Sequence, residues 1–241
     1  PLYRSYFLPL MYKEVVKQTQ AVLEESLNEE HRLLKMRARP KILVAETYEE
    51  ALTLCERYKP FLFGLFSDTR FTRKGQVSAD AGIRLLRRVK EDIPDLPLLL
   101  LSSEPHNRHK AGQIPSSFLD KNSPDLFSEL QEFFLKQLGF GDFVFRLADG
   151  TEVGRAGNLA QLEAILPAIP DESLRYHAMR NRFSNWIMAR SEIVLASRLR
   201  QARVSDFVDI KSVREYLITS IHSLRKWRQK GVVAQFSAKS F

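Results

Sequence analysis

A single cysteine in 241 residues excludes an intramolecular disulfide framework. Cys55 sits among the inward positions of a helical pattern, so a buried thiol and a reducing, cytoplasmic setting are expected. No stretch approaches the roughly 18 apolar residues of a membrane-spanning helix. The first twelve residues lack the basic start and apolar core of a secretory signal. An initiator methionine is also missing, which suggests a fragment of something longer. What the chain has is 44% hydrophobic and 27% charged residues, a globular composition with enough length for one large domain or two modest ones. The net charge of +8 raises the question of nucleic acid. However, most basic residues alternate with apolar ones at helical spacing, as on solvated helix faces, which argues against a nucleic-acid surface.

The most informative stretch is Phe61 to Arg70, an almost unbroken apolar run that stops at Asp68. So short a run with a polar end predicts a strand buried on both faces, with Asp68 at its carboxyl end. Ligands and reacting groups collect at such ends in open α/β sheets, although an ordinary turn aspartate would read the same way. Before this stretch, the spacing predicts one long amphipathic helix over Tyr3 to Leu34, a strand at Lys41 to Ala45 and a helix at Tyr48 to Tyr58. After it come a loop from Thr69 to Asp80, a helix at Ala81 to Lys90 and a strand at Leu98 to Leu101. A short strand at Phe118 and Leu119 and an amphipathic helix at Pro124 to Leu138 complete the series. Strands alternating with helices predict one parallel sheet with right-handed crossovers.

A parallel sheet would bring Asp68, Ser102 and Lys121, each just past or at a strand end, to one edge. A carboxylate there can attack a phosphoryl donor, an ammonium can pair with phosphate oxygens, and a hydroxyl can hydrogen-bond the acyl phosphate. SDTRF, then ADAGIRLLRRVKEDIPDLPLLLLSS, then SSFLDKNSPDLFSELQEFF, with VAETYEEALTL ahead of them, resemble the receiver domains of two-component response regulators. The resemblance implies a flavodoxin-like fold, Asp68 as phosphoacceptor and metal ligand, Ser102 as switch hydroxyl and Lys121 as the phosphate-pairing lysine. It also implies a histidine kinase as phosphate source and allows a homodimer.

Receivers hold Mg²⁺ with an acidic pair at the end of their first strand. If Lys41 to Ala45 is the second strand, that pair lies upstream of residue 1. If it is the first strand, Glu46 is the lone survivor of the pair, with Thr47 where a second acid belongs. Either way the metal site is incomplete in this chain, and Mg²⁺ is expected only in an intact receiver. Phe71 and Thr72 replace the usual Met-Pro, and Asn122 follows Lys121 where proline is usual, as in degenerate receivers that mediate protein contacts.

Gly139 to Asp142 breaks the pattern, dividing the chain into a receiver-like domain over 1–139 and a smaller module over 140–241. Phe143 to Leu147 and Thr151 to Arg155 read as a hairpin turned by Asp149-Gly150. Helices follow at Leu159 to Leu166, Glu172 to Ala189, Glu192 to Leu199 and Ile210 to Lys230, with Asn158, Asp171 and Asp209 as caps. In YHAMRNRFSNWIMAR, a lone histidine without a partner acid is weak evidence for catalysis. His177 and Asn181 are read as polar anchors between helices and Trp186 as core, and Trp227 also falls in a buried-looking pattern.

FLPLMYKEVVKQTQ, MRARPKIL, GFGDFVFRLADGTEV, DESLRYHAMRNRFSNWIMAR and RQKGVVAQFS resemble the amino-terminal region of bacteroidete-type multidomain proteins related to phosphoenolpyruvate synthase and pyruvate, phosphate dikinase. The resemblance implies a non-catalytic regulatory segment coupled to downstream catalytic domains of the same polypeptide. The glycine-rich phosphate loop, phosphohistidine and pyruvate-site motif of that family are not in this sequence. The rival reading is a DNA-binding response regulator whose basic helices after Arg175 are the output.

Overall fold

A computed structural model of the chain describes residues 7–234, with side chains through residue 229. It is a mixed α/β structure forming two compact units, 1–14 with 41–138, and 15–40 with 139–241. Residues 15–40, assigned from sequence to the amino-terminal domain, group with the second unit.

The first unit is built on three parallel strands in the order β1–β4–β5, where β1 is Leu65–Asp68, β4 is Leu98–Ser102 and β5 is Ser117–Asp120. Every residue of β4 is buried, which is why its sequence is a run of leucines rather than an alternation. On one face Leu98 and Leu100 join a core with Ala51 and Cys55 of α3 (Tyr48–Tyr58) and Ile83, Leu86 and Val89 of α4 (Ala81–Asp92). On β1, Phe66 packs edge-on against Phe133 of α6 (Leu126–Lys136), ring centroids 5.3 Å apart. A short helix α5 (Asn107–Gly112) leads into β5. Burying each leucine contributes about 2 kcal/mol, so β4 fixes the centre of the unit.

Three expectations for residues 1–139 change. Lys41 to Ala45 is not a strand; its backbone forms no strand pairing among the described residues, and Leu43 and Val44 are 50% and 37% exposed. β-rich composition alone cannot make a strand without a partner, and here the nearest pairing is one isolated bridge between Thr47 and Thr72. The segment Thr69 to Asp80 is more than a loop. It carries a hairpin of β2 (Phe71–Arg73) and β3 (Gln76–Ser78), turned by Lys74 at φ 51° and Gly75 at φ 75°. Two successive positive φ values make the type of turn that matches strand twist. The opening helix is two: α1 (Leu8–Leu23) and α2 (Glu29–Arg37), while residues 3–6 of the expected helix lie outside the described residues. Asn28 starts α2 by accepting a hydrogen bond from the His31 amide at 2.8 Å, with Glu29 and Glu30 in the first turn, where a helix favours negative charge.

In the second unit β6 (Phe143–Arg146) and β7 (Glu152–Ala156) form an antiparallel hairpin in which Gly150 takes φ 94°. Helices α7 (Leu159–Ile165), α8 (Asp171–Ala178), α9 (Arg182–Ala189), α10 (Ile193–Gln201) and α11 (Ile210–Ala234) follow. Asn158 and Asp209 cap helices through their side chains, at 3.0 Å to the Gln161 amide and 2.7 Å to the Ser212 amide. Asp171 is the first residue of α8 instead of its cap and accepts from Arg214 at 2.5 Å. The helix expected over Glu172 to Ala189 breaks because Asn181 adopts the left-handed conformation, φ 50°, which asparagine tolerates better than most residues. Trp227, expected to be buried, is 64% exposed.

Gly82 tests the packing of α4 on the sheet. A Cβ there would fall 1.9 Å from the Asp68 carbonyl oxygen, whereas one at Gly112 would meet nothing within 4 Å. Gly82→Ala is expected to destabilise the protein by about 3 kcal/mol. Gly112→Ala is expected to be neutral or to stabilise by up to about 1 kcal/mol. Urea denaturation of the two variants measures both.

Candidate functional site

Parallel pairing sends the carboxyl ends of β1, β4 and β5 the same way. The register sets Asp68 opposite Leu101 and Ser102 opposite Asp120. The Lys121 amide continues the ladder by donating to the Ser102 carbonyl at 2.9 Å, placing its side chain immediately beyond β5. From there the Lys121 ammonium forms an ion pair with Asp68 Oδ2 across the end of β4. The side chains are 17% and 30% exposed, so the pair is partly shielded yet open to a solute.

Ser102 is buried on the middle strand. Its Oγ accepts from the Glu104 amide at 3.1 Å and from Asn107 Nδ2 at 3.0 Å, leaving its own proton to donate. Thr69 braces β1 by donating its amide and its hydroxyl to the Leu101 carbonyl, at 3.1 and 3.0 Å. Arg70 and Glu104, 3.6 Å apart, form an exposed pair. The arrangement offers a nucleophilic carboxylate, an ammonium already beside it and a hydroxyl proton on the adjoining strand end. That set suits a transferred phosphoryl group or another small oxyanion.

The metal side is less complete. Glu46 is exposed one residue before the Thr47 cap of α3, and its amide donates to Glu50 at 2.8 Å. Among the described residues no three His, Cys, Asp or Glu side chains are gathered as a metal cluster. At this edge Asp68 supplies one carboxylate whose Oδ2 already faces Lys121. These residues by themselves do not fit a Mg²⁺ site, which takes six oxygen ligands in near-octahedral geometry.

His177 is 1% exposed, and its Nε2 accepts from the Arg146 amide at 2.8 Å, so its proton resides on Nδ1, which has no partner. Asn181 supplies the backbone reversal between α8 and α9. Trp186 Nε1 donates to the Gly141 carbonyl at 2.8 Å while Arg190 lies over its ring at 3.2 Å. Arg190, 1% exposed, donates to the carbonyls of Gly139, Gly141, Gly157 and Trp186. A fully buried arginine on an amphipathic helix gives no sequence signal of its own. The same holds for the buried charges around it. His31 is bonded to Glu192 at 2.5 Å, Arg228 donates to Glu192 at 2.9 Å, and Lys35 donates to the Val22 carbonyl at 3.1 Å.

Burial pushes the His177 pKa down to about 4, with Arg182 and Arg180 adding to the shift. The unfolded value is near 6.5, so between pH 6.5 and 4 the unfolded chain takes up a proton that the folded one refuses. The stability from a neutral His177 is therefore fully present above pH 6.5 and is lost as pH falls toward 4, by about 3 kcal/mol at the limit. In urea unfolding between pH 7 and 4, the stability difference between the wild type and His177→Gln is expected to shrink as pH falls. A pH-independent difference would contradict the assignment.

Comparison of the chain with family models, with curated proteins and with solved structures finds no match to any of them.

Proposed function

We propose that the chain is a non-catalytic regulatory segment whose first unit is receiver-like, in the flavodoxin-like class. The observation that carries this reading is the Asp68–Lys121 ion pair across the carboxyl edge of three adjacent parallel strands. Asp68 is the phosphoacceptor, Lys121 the phosphate-pairing group and Ser102 the switch hydroxyl. The second unit relays the state of that edge to a downstream catalytic part that uses phosphoenolpyruvate or pyruvate.

The chemistry follows from what each group can do. An Asp68 carboxylate oxygen attacks phosphorus in line as the donor's leaving group departs with the bonding electrons. Lys121 then exchanges a carboxylate oxygen for the phosphoryl oxygens, which carry more charge. The Ser102 proton, unused while Glu104 and Asn107 donate to its oxygen, is available to the new group. A change of about two negative charges at this edge alters which donors Ser102 and Lys121 face, and local electrostatics of this kind bias two-state surfaces.

Against the nucleic-acid reading, basic groups of the second unit are used internally. Arg214 pairs with Asp171, Arg225 with Glu163 and Arg228 with Glu192, while Arg190 is enclosed. Salt-dependent affinity for random duplex DNA would favour the rival.

Intact-mass spectrometry after incubation with acetyl phosphate and Mg²⁺ tests the phosphoacceptor role. Residues 1–241 are expected to stay unmodified, because Lys121 alone meets the charge on the transferring group and the loss should be orders of magnitude in rate. A longer form carrying an additional strand with an acidic pair is expected to gain one phosphoryl group, and Asp68→Asn to abolish the gain. A longer form with that pair that stays unmodified, or a modification that survives Asp68→Asn, removes the role from Asp68.

A further inference from the structure

A cavity of about 200 Å³ opens within the second unit between the turn after α1, the start of α7 and the carboxyl half of α11. Two of its charged groups are already satisfied. Glu192 accepts from His31 and from Arg228, and Arg225 is paired with Glu163. His31 is itself complete as a neutral ring. Its Nδ1 accepts from the Leu27 amide at 3.2 Å, so Nε2 carries the proton that goes to Glu192.

What remains in the wall is an unbalanced set of polar groups. Lys35 is 2% exposed and its ammonium, with three protons to donate, has the Val22 carbonyl as acceptor. Ser26 Oγ and Arg228 Nε are buried and find no hydrogen-bond partner among the described residues. The Glu25 carboxylate lies 3.4 Å from Arg190 Nε, an ion-pair distance without hydrogen-bond geometry, since that Nε is also unbonded. Burial moves the Lys35 pKa down and the Glu25 pKa up; the two charges offset part of this for one another, and Arg190 does so for Glu25, without cancelling the effect of burial. Leu27, Leu159, Ala160 and Leu224 supply an apolar wall beside them.

Ser26 Oγ and Arg228 Nε are unmatched, Lys35 has donor capacity to spare, and Glu25 has an ion pair without a hydrogen bond to it, so a suitable occupant would supply contacts that the protein does not. Three donor groups ask for a carboxylate, one carboxylate asks for an ammonium, and the leucines ask for a small hydrocarbon. The volume corresponds to roughly six or seven waters and lies below the range of drug-sized ligand pockets, which favours a small occupant. We propose that this cavity is a binding site for a small apolar α-amino acid in its zwitterionic form, the carboxylate held by Lys35, Ser26 and Arg228 and the ammonium by Glu25. The assignment is independent of the reading of the first unit and makes the second unit a metabolite-sensing element.

Isothermal titration calorimetry of residues 1–241 against each of the twenty amino acids tests it. The expected result is saturable binding of one or more of alanine, valine, leucine and isoleucine. Analogues lacking either the ammonium or the carboxylate should bind at least about tenfold more weakly. Ser26→Ala, a small change at a turn, should lower affinity by roughly tenfold with the melting temperature retained; Lys35→Met and Glu25→Gln should lower it further if their melting curves show a folded protein. Absence of binding by all twenty at 10 mM overturns the proposal. So does acetate or inorganic phosphate binding as tightly as the best amino acid, which would mark a plain anion site, or undiminished affinity in folded Ser26→Ala.

Discussion

The first unit depends on burying the peptide groups of β4. Water reaches neither face of Leu98–Ser102, so its amides and carbonyls must be met from both sides by other strands. β1 and β5 do this in parallel, and parallel pairing leaves no choice about where their ends go. Asp68 and Lys121, separated by 53 positions in sequence, therefore face one another across the middle strand's end. The ion pair itself adds little stability, on the order of 1 kcal/mol for a partly exposed pair. Its position comes from hydrocarbon and hydrogen bonds behind it.

The second unit solves a different problem. Arg190 is enclosed, so its charge must be matched by protein groups, and backbone carbonyls from the hairpin region and α9 converge on it. Gly139 is set where a Cβ would come 3.0 Å from the Trp186 backbone, and its φ of 84° suits glycine, so the chain can pass close to the arginine's own helix. Removing Arg190 would leave carbonyls unmet; displacing a loop that supplies an accepting carbonyl would leave one of the guanidinium's N–H donors unmet. Such a centre specifies one arrangement more strictly than apolar packing does.

How much of this could be read in advance depends on whether a signal is local. The alternation of apolar runs, the hairpin at Asp149-Gly150 and the caps at Asn158 and Asp209 each follow from neighbouring residues. Asp68, Ser102 and Lys121 were legible as a set because strand ends in a parallel sheet coincide. The break at Asn28 was also written locally, as a capping asparagine followed by two glutamates, but an unbroken helical period masked it. Lys41 to Ala45 misled because strand-forming composition says nothing about whether a partner strand lies alongside. Lys35, Glu25, His31 and Glu192 gave no warning at all. Charged residues on helices are normally solvated, and only long-range geometry shows that these are enclosed.

The pairing of residues 15–40 with the far end of the chain has a consequence for biosynthesis. His31 meets Glu192 over a separation of 161 positions, and Asn28 bonds the Arg228 carbonyl over 200. A ribosome adding about 5–20 residues per second leaves α2 waiting roughly ten to forty seconds for its partners. During that interval the sheet of the first unit has already emerged and can close, while α1 and α2 stay exposed with hydrated polar side chains at positions 25, 31 and 35. The order of synthesis and the order of assembly thus run in opposite senses for this segment.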